Sequence, residues 1–176
     1  GGSGADLIEF LSAAVARRGV ATVDGGSGSD TLTFTNSTVA VSADASILGG
    51  VGADTLNLSA VTAAVNSALL IDLGADDDQA SIVDSTIADS VTASATILGG
   101  SGLACYAAQA DSVRFLDSSR VAVSGTASLF GGAGDDTLDF NASTLAVNGQ
   151  ALVDLGGDND TLVLVDSTVA QSATAS

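Results

Sequence analysis

"GGSGSDTLTF" occupies residues 25–34, and a close copy, "GGAGDDTLDF", occupies residues 131–140. Both stretches begin with glycines, which favour tight turns, and then pass through an aspartate into alternating apolar residues typical of a β-strand. In the first copy this alternation predicts that Leu32 and Phe34 point inward and that Thr31 and Thr33 point outward. A glycine turn followed by a short strand is therefore the unit from which the fold is predicted.

This unit recurs along the 176-residue chain, with turn signals beginning near residues 1, 25, 49, 74, 99, 131 and 156. Most turns are followed by three short strand segments with corners between them. A constant period of this kind indicates a solenoid, in which each repeat forms one coil and stacks on its neighbours. We therefore predict an all-β fold, a three-sided parallel β-helix of about seven coils of about 25 residues each.

The sequence pattern leaves two structural alternatives open, one for the whole fold and one for the first coil. A two-sheet β-sandwich also has short strands and frequent turns, although it does not require a constant spacing. The first coil, residues 6–19, can be read as a helix because Asp6 and Glu9 resemble a capping box. In the strand interpretation, which we favour, Phe10 is in register with Phe34.

The repeat is interrupted in the fifth coil. An insertion at about residues 103–112 replaces the glycine-aspartate turn, which is lost at 99–104, and its Ala, Leu and Gln residues predict a short helical bulge. Residues 1–176 are otherwise one solenoid segment. Since the last coil stops before its third side is complete, we expect the segment to belong to a larger repeat protein that continues beyond Ser176, or to stack on another subunit.

The composition limits the classes of partner. The net charge is −17, with only four positively charged side chains, which disfavours binding to nucleic acids and to anionic membrane surfaces. No apolar run is long enough to span a bilayer. All but one of the 21 acidic residues are aspartates, which favour turns and can ligate hard cations.

The repeated turn, "GGxGxDTLxF", resembles the calcium-binding nonapeptide of RTX (haemolysin-type) proteins. The resemblance covers the turn and the following strand, roughly a third of the chain, and departs from the family because only one copy occurs per coil. It implies that calcium binds between stacked turns, held by aspartate carboxylates and turn carbonyl groups. The residues implied as ligands are Asp6, Asp30, Asp54 and Asp136, Asp78 and Asp160 in two shortened turns, and the adjacent Asp135 and Asp158.

Elementary electrostatics supports the same prediction. Equivalent turns of a solenoid place their carboxylates about 5 Å apart, because neighbouring strands have that spacing. Two such charges repel by about 1 kcal/mol in water and roughly 3 kcal/mol at an effective dielectric constant near 20. Calcium accepts six to eight oxygen ligands in flexible geometry, whereas zinc prefers histidine or cysteine. The alternative is that the aspartates only hydrogen-bond their own turns.

From these features we expect an extracellular, calcium-stiffened structural module of a bacterial surface protein, such as a surface-layer, adhesin-stalk or filament building block. Its expected partners are neighbouring coils, stacked subunits, and cell-surface polysaccharide or other cells. The alternatives are a viral or phage fibre, or a non-catalytic module of a polysaccharide-acting enzyme. An enzymatic role is not expected, because the chain has no histidine or lysine to act as a base and its arginines are scattered.

Two weaker candidates remain. Outward threonines of the "STV", "STI" and "STL" repeats would suit an ice-binding face, but threonine is also common on exposed strands. These threonines are Thr38, Thr62, Thr86, Thr144 and Thr168. Cys105 is predicted to be an inert thiol, because no histidine or lysine is present to activate it.

Overall fold

The computed structural model describes residues 1–88, 90, 92–99, 110–146, 148–169 and 174–175. The regular structure of this part of the chain consists of β-strands, arranged in three parallel sheets of seven strands each. The predicted three-sided parallel β-helix is therefore confirmed, and the sandwich alternative is wrong. Residues at equivalent places in successive coils are mostly 24 positions apart.

The first sheet is formed by the strands that follow the glycine turns. These strands are β1 (Leu7–Leu11), β4 (Thr31–Thr35), β7 (Thr55–Ser59), β10 (Gln79–Val83), β13 (Ser112–Leu116), β16 (Thr137–Asn141) and β19 (Thr161–Val165). Each strand pairs in parallel with its equivalents in the coils before and after it. This arrangement lets every coil repeat the same inward and outward pattern.

The second and third sheets complete the three sides. The second sheet contains β2 (Ala14–Val15), β5 (Thr38–Val41), β8 (Thr62–Val65), β11 (Thr86–Ile87), β14 (Arg120–Val121), β17 (Thr144–Leu145) and β20 (Thr168–Val169). The third sheet contains β3 (Ala21–Ser27), β6 (Ala45–Val51), β9 (Ala68–Ala75), β12 (Ser94–Leu98), β15 (Thr126–Ala133), β18 (Gln150–Gly157) and β21 (Thr174–Ala175). Each strand of the third sheet leads into a glycine turn or into the segment that replaces it.

The core is a set of columns in which equivalent side chains stack along the rod. Phe34 pairs with Leu58 in the register of the first sheet, and Phe115 pairs with Phe140. The Phe115 and Phe140 rings are stacked, with centroids 4.7 Å apart and planes 5° from parallel. The predicted inward column of the first sheet is therefore confirmed. Because equivalent positions meet directly, small aliphatic residues and a few rings fill the narrow interior.

The first coil is a strand rather than a helix. Strand β1 pairs with β4 so that Phe10 lies beside Phe34, with ring centroids 4.7 Å apart. Coil one follows the same period as the later coils. The backbone of β1 pairs with the edge strand β4, and the Phe10 ring stacks on the Phe34 ring. The strand prediction for residues 6–19 is confirmed by β1 and β2.

Residues 103–109 of the insertion, with the predicted helical bulge, lie outside the described residues. The chain returns to the solenoid at Ala110, and β13 then takes its place between β10 and β16. Pairing resumes with an interval of 33 residues instead of 24. The insertion therefore leaves the stacking of the first sheet intact.

A buried alanine marks the bend at the end of the second sheet. Ala40, Ala64 and Ala88 have φ angles of 55°, 54° and 55°, in the left-handed region. This conformation costs roughly 1–2 kcal/mol for a residue with a β-carbon. The position is also fully buried, so only a small side chain fits there. The burial explains why a small side chain recurs in "STVA" and its variants, whereas the left-handed φ angle does not favour alanine over glycine.

Candidate metal-binding site

The aspartates of the glycine turns form a column at the corner between the third and first sheets. Asp30, Asp54 and Asp136 each come directly before the first residue of a strand of the first sheet. Asp30 lies two positions before Leu32 and four before Phe34, and residues at this spacing share one face of a strand. The aspartates are therefore on the inward face. Their side chains consequently point into the rod, and they are 1–2% exposed.

One oxygen of each carboxyl group joins two coils. The backbone N–H of Asp30 donates to Oδ1 of Asp54 at 2.7 Å, and the N–H of Asp54 donates to Oδ1 of Asp78 at 2.7 Å. The same contact recurs between each neighbouring pair along the column, at distances from 2.7 to 3.1 Å. The members of this aspartate column are Asp6, Asp30, Asp54, Asp78, Asp111, Asp136 and Asp160.

The other oxygen has no hydrogen-bond partner at five successive positions. Oδ2 is buried and unpartnered in Asp30, Asp54, Asp78, Asp111 and Asp136. A buried polar atom without a partner costs about 1–3 kcal/mol, and more when it is charged. Five in a row mark this corner as the place in the described structure where a proton, a water molecule or a cation would be most favourable.

Serine performs the backbone-bridging function at the next corner without this cost. Oγ of Ser85 accepts the N–H of Val61 at 3.0 Å and donates to the carbonyl oxygen of Val83 at 2.8 Å. Oγ of Ser167 has the equivalent contacts at the same corner, since it accepts the N–H of Ser143 at 3.1 Å and donates to the carbonyl oxygen of Val165 at 2.8 Å. A neutral hydroxyl is therefore sufficient to join coils. The second carboxyl oxygen has no such contact at the five buried positions, whereas Oδ2 of Asp6 accepts the N–H of Gly2 at 2.8 Å.

The glycines of the turn pack directly against these oxygens. A β-carbon at Gly25 would lie 2.7 Å from Oδ2 of Asp30 and 2.5 Å from the carbonyl oxygen of Gly49 in the next coil. At Gly49 the corresponding distances are 2.6 Å to Oδ2 of Asp54 and 2.1 Å to the carbonyl oxygen of Leu73. No larger residue fits at these positions, because the carboxyl oxygen and a carbonyl oxygen of the next coil lie against the glycine.

Burial dominates the electrostatics of the column. Burial, assisted by the charges of Asp111, Asp54 and Asp76 and opposed by the hydrogen bond from the Asp54 N–H, raises the pKa of Asp78 to about 8. Burial likewise raises the pKa of Asp111 to about 6, and it raises the pKa values of Asp54 and Asp136. In the absence of a cation, the middle of the column therefore retains protons that an exposed aspartate would release.

Two of the eight predicted ligands lie outside the column. Asp135 is exposed on the turn, where its Oδ1 accepts hydrogen bonds from the backbone and side-chain nitrogens of Asn159 at 3.0 and 3.3 Å. Asp158 is also exposed, with a φ angle of 77°. The other six predicted ligands, Asp6, Asp30, Asp54, Asp78, Asp136 and Asp160, belong to the column.

Asp111 is the member of the column that the motif did not indicate. It lies near the end of the predicted insertion, twelve positions after Gly99, whereas Asp136 follows Gly131 by five. An aspartate lies four positions before each of the aligned residues Phe34, Phe115 and Phe140. This spacing is the sequence signal that could have identified Asp111. The distance of Asp111 from the strand that follows it is conserved among the coils, whereas its distance from the glycines is not.

The other candidate residues do not converge on a site. The threonine column lies on the second sheet, but Arg120 interrupts it between Thr86 and Thr144. Arg114 pairs with Asp139 at 3.3 Å on the surface of the first sheet, far along the chain from the arginines of coil one. Cys105 lies outside the described residues.

Among the described residues, no group of three or more histidine, cysteine or acidic side chains forms a metal cluster. A site in the column would therefore combine two carboxyl groups with backbone carbonyl oxygens. The same part of the chain contains no helix long and apolar enough to cross a membrane. No family model, curated protein or solved structure matches the chain.

Proposed function

We propose that the chain is a structural module, a β-solenoid stiffened by calcium that serves as a rigid spacer, stalk or layer building block at a bacterial cell surface. The observation that carries this proposal is the column of five buried carboxyl oxygens without hydrogen-bond partners. It recurs once per coil, at the corner where the sequence resembles calcium-binding RTX turns. A solenoid that neutralises this column with cations joins its coils more firmly than hydrogen bonds alone can.

The donor set suits calcium. Asp30 and Asp54 would supply carboxylate oxygens whose Oδ2 atoms are unpartnered, and turn carbonyl groups such as that of Gly49 would supply neutral oxygens. Calcium accepts such mixed oxygen ligands in irregular geometry, whereas magnesium demands a near-ideal octahedron and retains several waters. Bound calcium would supply positive charge between neighbouring carboxylates. The chain's own residues would then hold adjacent coils together in two ways: through the hydrogen bonds to Oδ1, and through oxygens of both coils that bind the same ion.

The proposed role is mechanical rather than catalytic. Parallel sheets with side chains stacked coil on coil give a rod whose length grows with the number of repeats. The arginines, which are the only strongly basic side chains, occur in coil one, in β13 and in β14, so they do not form a charge-stabilising group. A location outside the cell is proposed because sites of moderate affinity fill at the calcium concentrations found there.

The proposal is tested by thermal unfolding of metal-depleted protein, with calcium or magnesium added back. We expect calcium to raise Tm with an apparent Kd on the order of 10⁻⁴–10⁻³ M, as in extracellular modules. At 100 times Kd, each site that binds only the folded state contributes about 2.7 kcal/mol. Magnesium is expected to raise Tm less.

Asp54→Asn and Asp24→Asn form a matched pair of variants for this experiment. Asp54 is buried in the column, whereas Asp24 lies exposed on strand β3, directly before the first glycine of the same kind of turn. Asp54→Asn should reduce the increase in Tm caused by calcium, and Asp24→Asn should leave it unchanged. If calcium and EDTA give the same Tm in the wild-type protein, the column does not bind calcium and the proposal fails.

A further inference from the structure

Two exposed asparagines occupy the same corner of the solenoid, between the second and third sheets. Asn66 and Asn148 each lie two positions before a strand of the third sheet, and the pairing of those strands places the two asparagines in one column. Both are exposed to solvent. They differ in the residue that follows, which is Ser67 in the third coil and Gly149 in the sixth. Asn148 and Gly149 form the only asparagine-glycine pair of the chain.

The packing of the coils requires glycine at position 149. A β-carbon on Gly149 would overlap the backbone carbonyl oxygens of Gly125 and Ala122 in the preceding coil, so no larger residue fits there. A glycine has no side chain to shield its own backbone nitrogen. The fold therefore places beside Asn148 the residue that least obstructs an attack of the following backbone nitrogen on the asparagine side chain.

The backbone nitrogen of Gly149 has no hydrogen bond to the described residues. The equivalent nitrogen of the preceding coil, that of Gly125, donates to a backbone carbonyl oxygen at 3.3 Å. The side chain of Asn148 likewise has no hydrogen bond within the described part of the chain. By contrast, Oδ1 of Asn66 accepts a hydrogen bond from Oγ1 of Thr92 at 3.1 Å. The two groups that would react at Asn148 are thus adjacent in the chain, and neither is held by another described contact.

We propose that Asn148 is a site of spontaneous deamidation, in which the backbone nitrogen of Gly149 attacks the asparagine side chain. The nitrogen gives its proton to a base from the solvent and bonds to Cγ of Asn148. The bond from Cγ to Nδ2 breaks, and Nδ2 takes up a proton and leaves as ammonia. Water then opens the five-membered succinimide at either carbonyl group, which yields aspartate or isoaspartate. The reaction needs no enzyme, because the reacting atoms belong to neighbouring residues.

The modification would disturb the pairing of β18 with β15. The N–H of Asn148 donates to the carbonyl oxygen of Val123 at 2.9 Å, and the N–H of Gln150 donates to that of Gly125 at 3.0 Å. An isoaspartate adds one carbon atom to the main chain between these two contacts, so both cannot keep their geometry. Deamidation also adds a negative charge to a chain whose net charge is already −17. Ageing of the protein therefore loosens the sixth coil, independently of calcium.

The first test compares the two asparagines within one wild-type protein. The protein is incubated at mildly alkaline pH, either folded or in urea, and peptide mapping by mass spectrometry follows the conversion of amide to acid at each position. In the folded protein we expect Asn148 to react severalfold faster than Asn66 and to yield both aspartate and isoaspartate. If Asn148 reacts in urea but stays unmodified in the folded protein, the fold protects it and the inference is overturned.

The second test uses Asn148→Gln and the matched control Asn66→Gln. Glutamine keeps the amide group, but it would have to close a six-membered ring and therefore reacts much more slowly. After incubation, wild type and Asn66→Gln should have a lower Tm than fresh protein, whereas Asn148→Gln should keep its starting Tm. An equal decrease of Tm in all three proteins would overturn the inferred effect on the sixth coil.

Discussion

Replacing Asp78 by asparagine should change the stability of the protein in opposite directions with and without calcium. Asp78 is fully buried, its Oδ1 accepts the N–H of Asp54, and its Oδ2 has no partner. Asparagine retains the acceptor oxygen and removes the charge. Without calcium the variant should be more stable than wild type at alkaline pH, and with calcium it should lose part of the stabilisation that the ion supplies.

The sign of the pH dependence follows from the direction of the pKa shift. Burial raises the pKa of Asp78 from 3.8 to about 8, so the folded protein holds a proton that the unfolded chain releases. Stability without calcium is therefore fully present below pH 3.8 and is lost as the pH rises toward 8. Asp78→Asn carries no such proton, so its stability should depend less on pH over the same window.

The magnitude can be estimated from the same shift. Each pKa unit corresponds to about 1.4 kcal/mol. After a discount for screening by solvent and for the coupled charges of Asp54 and Asp111, we expect Asp78→Asn to gain about 2 kcal/mol at pH 9 in EDTA. For a domain of this size such a gain raises Tm by roughly 4–8 °C. At pH 5 the gain should largely vanish, because Asp78 is then protonated in the folded state.

The assay is calorimetric or circular-dichroism melting of wild type, Asp78→Asn and the surface control Asp24→Asn, at pH 5 and pH 9, in EDTA and in calcium. Asp24→Asn should follow wild type in all four conditions. A lower Tm for Asp78→Asn in EDTA at pH 9 would refute the reasoning. It would mean that the buried charge is not what destabilises the metal-free column.

The other predictions concern the packing of the coils. Phe115→Ala removes a fully buried ring stacked on Phe140 and should cost about 3–5 kcal/mol of unfolding free energy; a loss below 1 kcal/mol in denaturant titrations would contradict the stacked core. Ser85→Ala leaves the N–H of Val61 without its partner and should cost about 1–3 kcal/mol at any calcium concentration. A calcium-dependent effect of Ser85→Ala would contradict the division of roles between the serine and aspartate corners.

The architecture was predictable because the sequence features that determine it recur at a constant interval. The interval of about 25 residues, the alternation in "TLTF" and its copies, and the inward column through Phe34 and Phe140 all follow from the order of residue types. A chain with this period buries its apolar faces only by stacking equivalent residues on one another. The strand in coil one was predictable for the same reason, since register with β4 outweighs the local helix signal of Asp6 and Glu9.

The chemistry of the aspartate corner was decided by the tertiary structure. The sequence placed aspartates beside glycines, but burial of their side chains, the Oδ1 contacts and the unpartnered Oδ2 atoms arise only when one coil lies against the next. Asp111 entered the column because strand pairing, rather than the spacing from Gly99, positions the residue before β13. A motif records neighbours along the chain, whereas these contacts join residues 24 to 33 positions apart, and only the stacked coils bring them together.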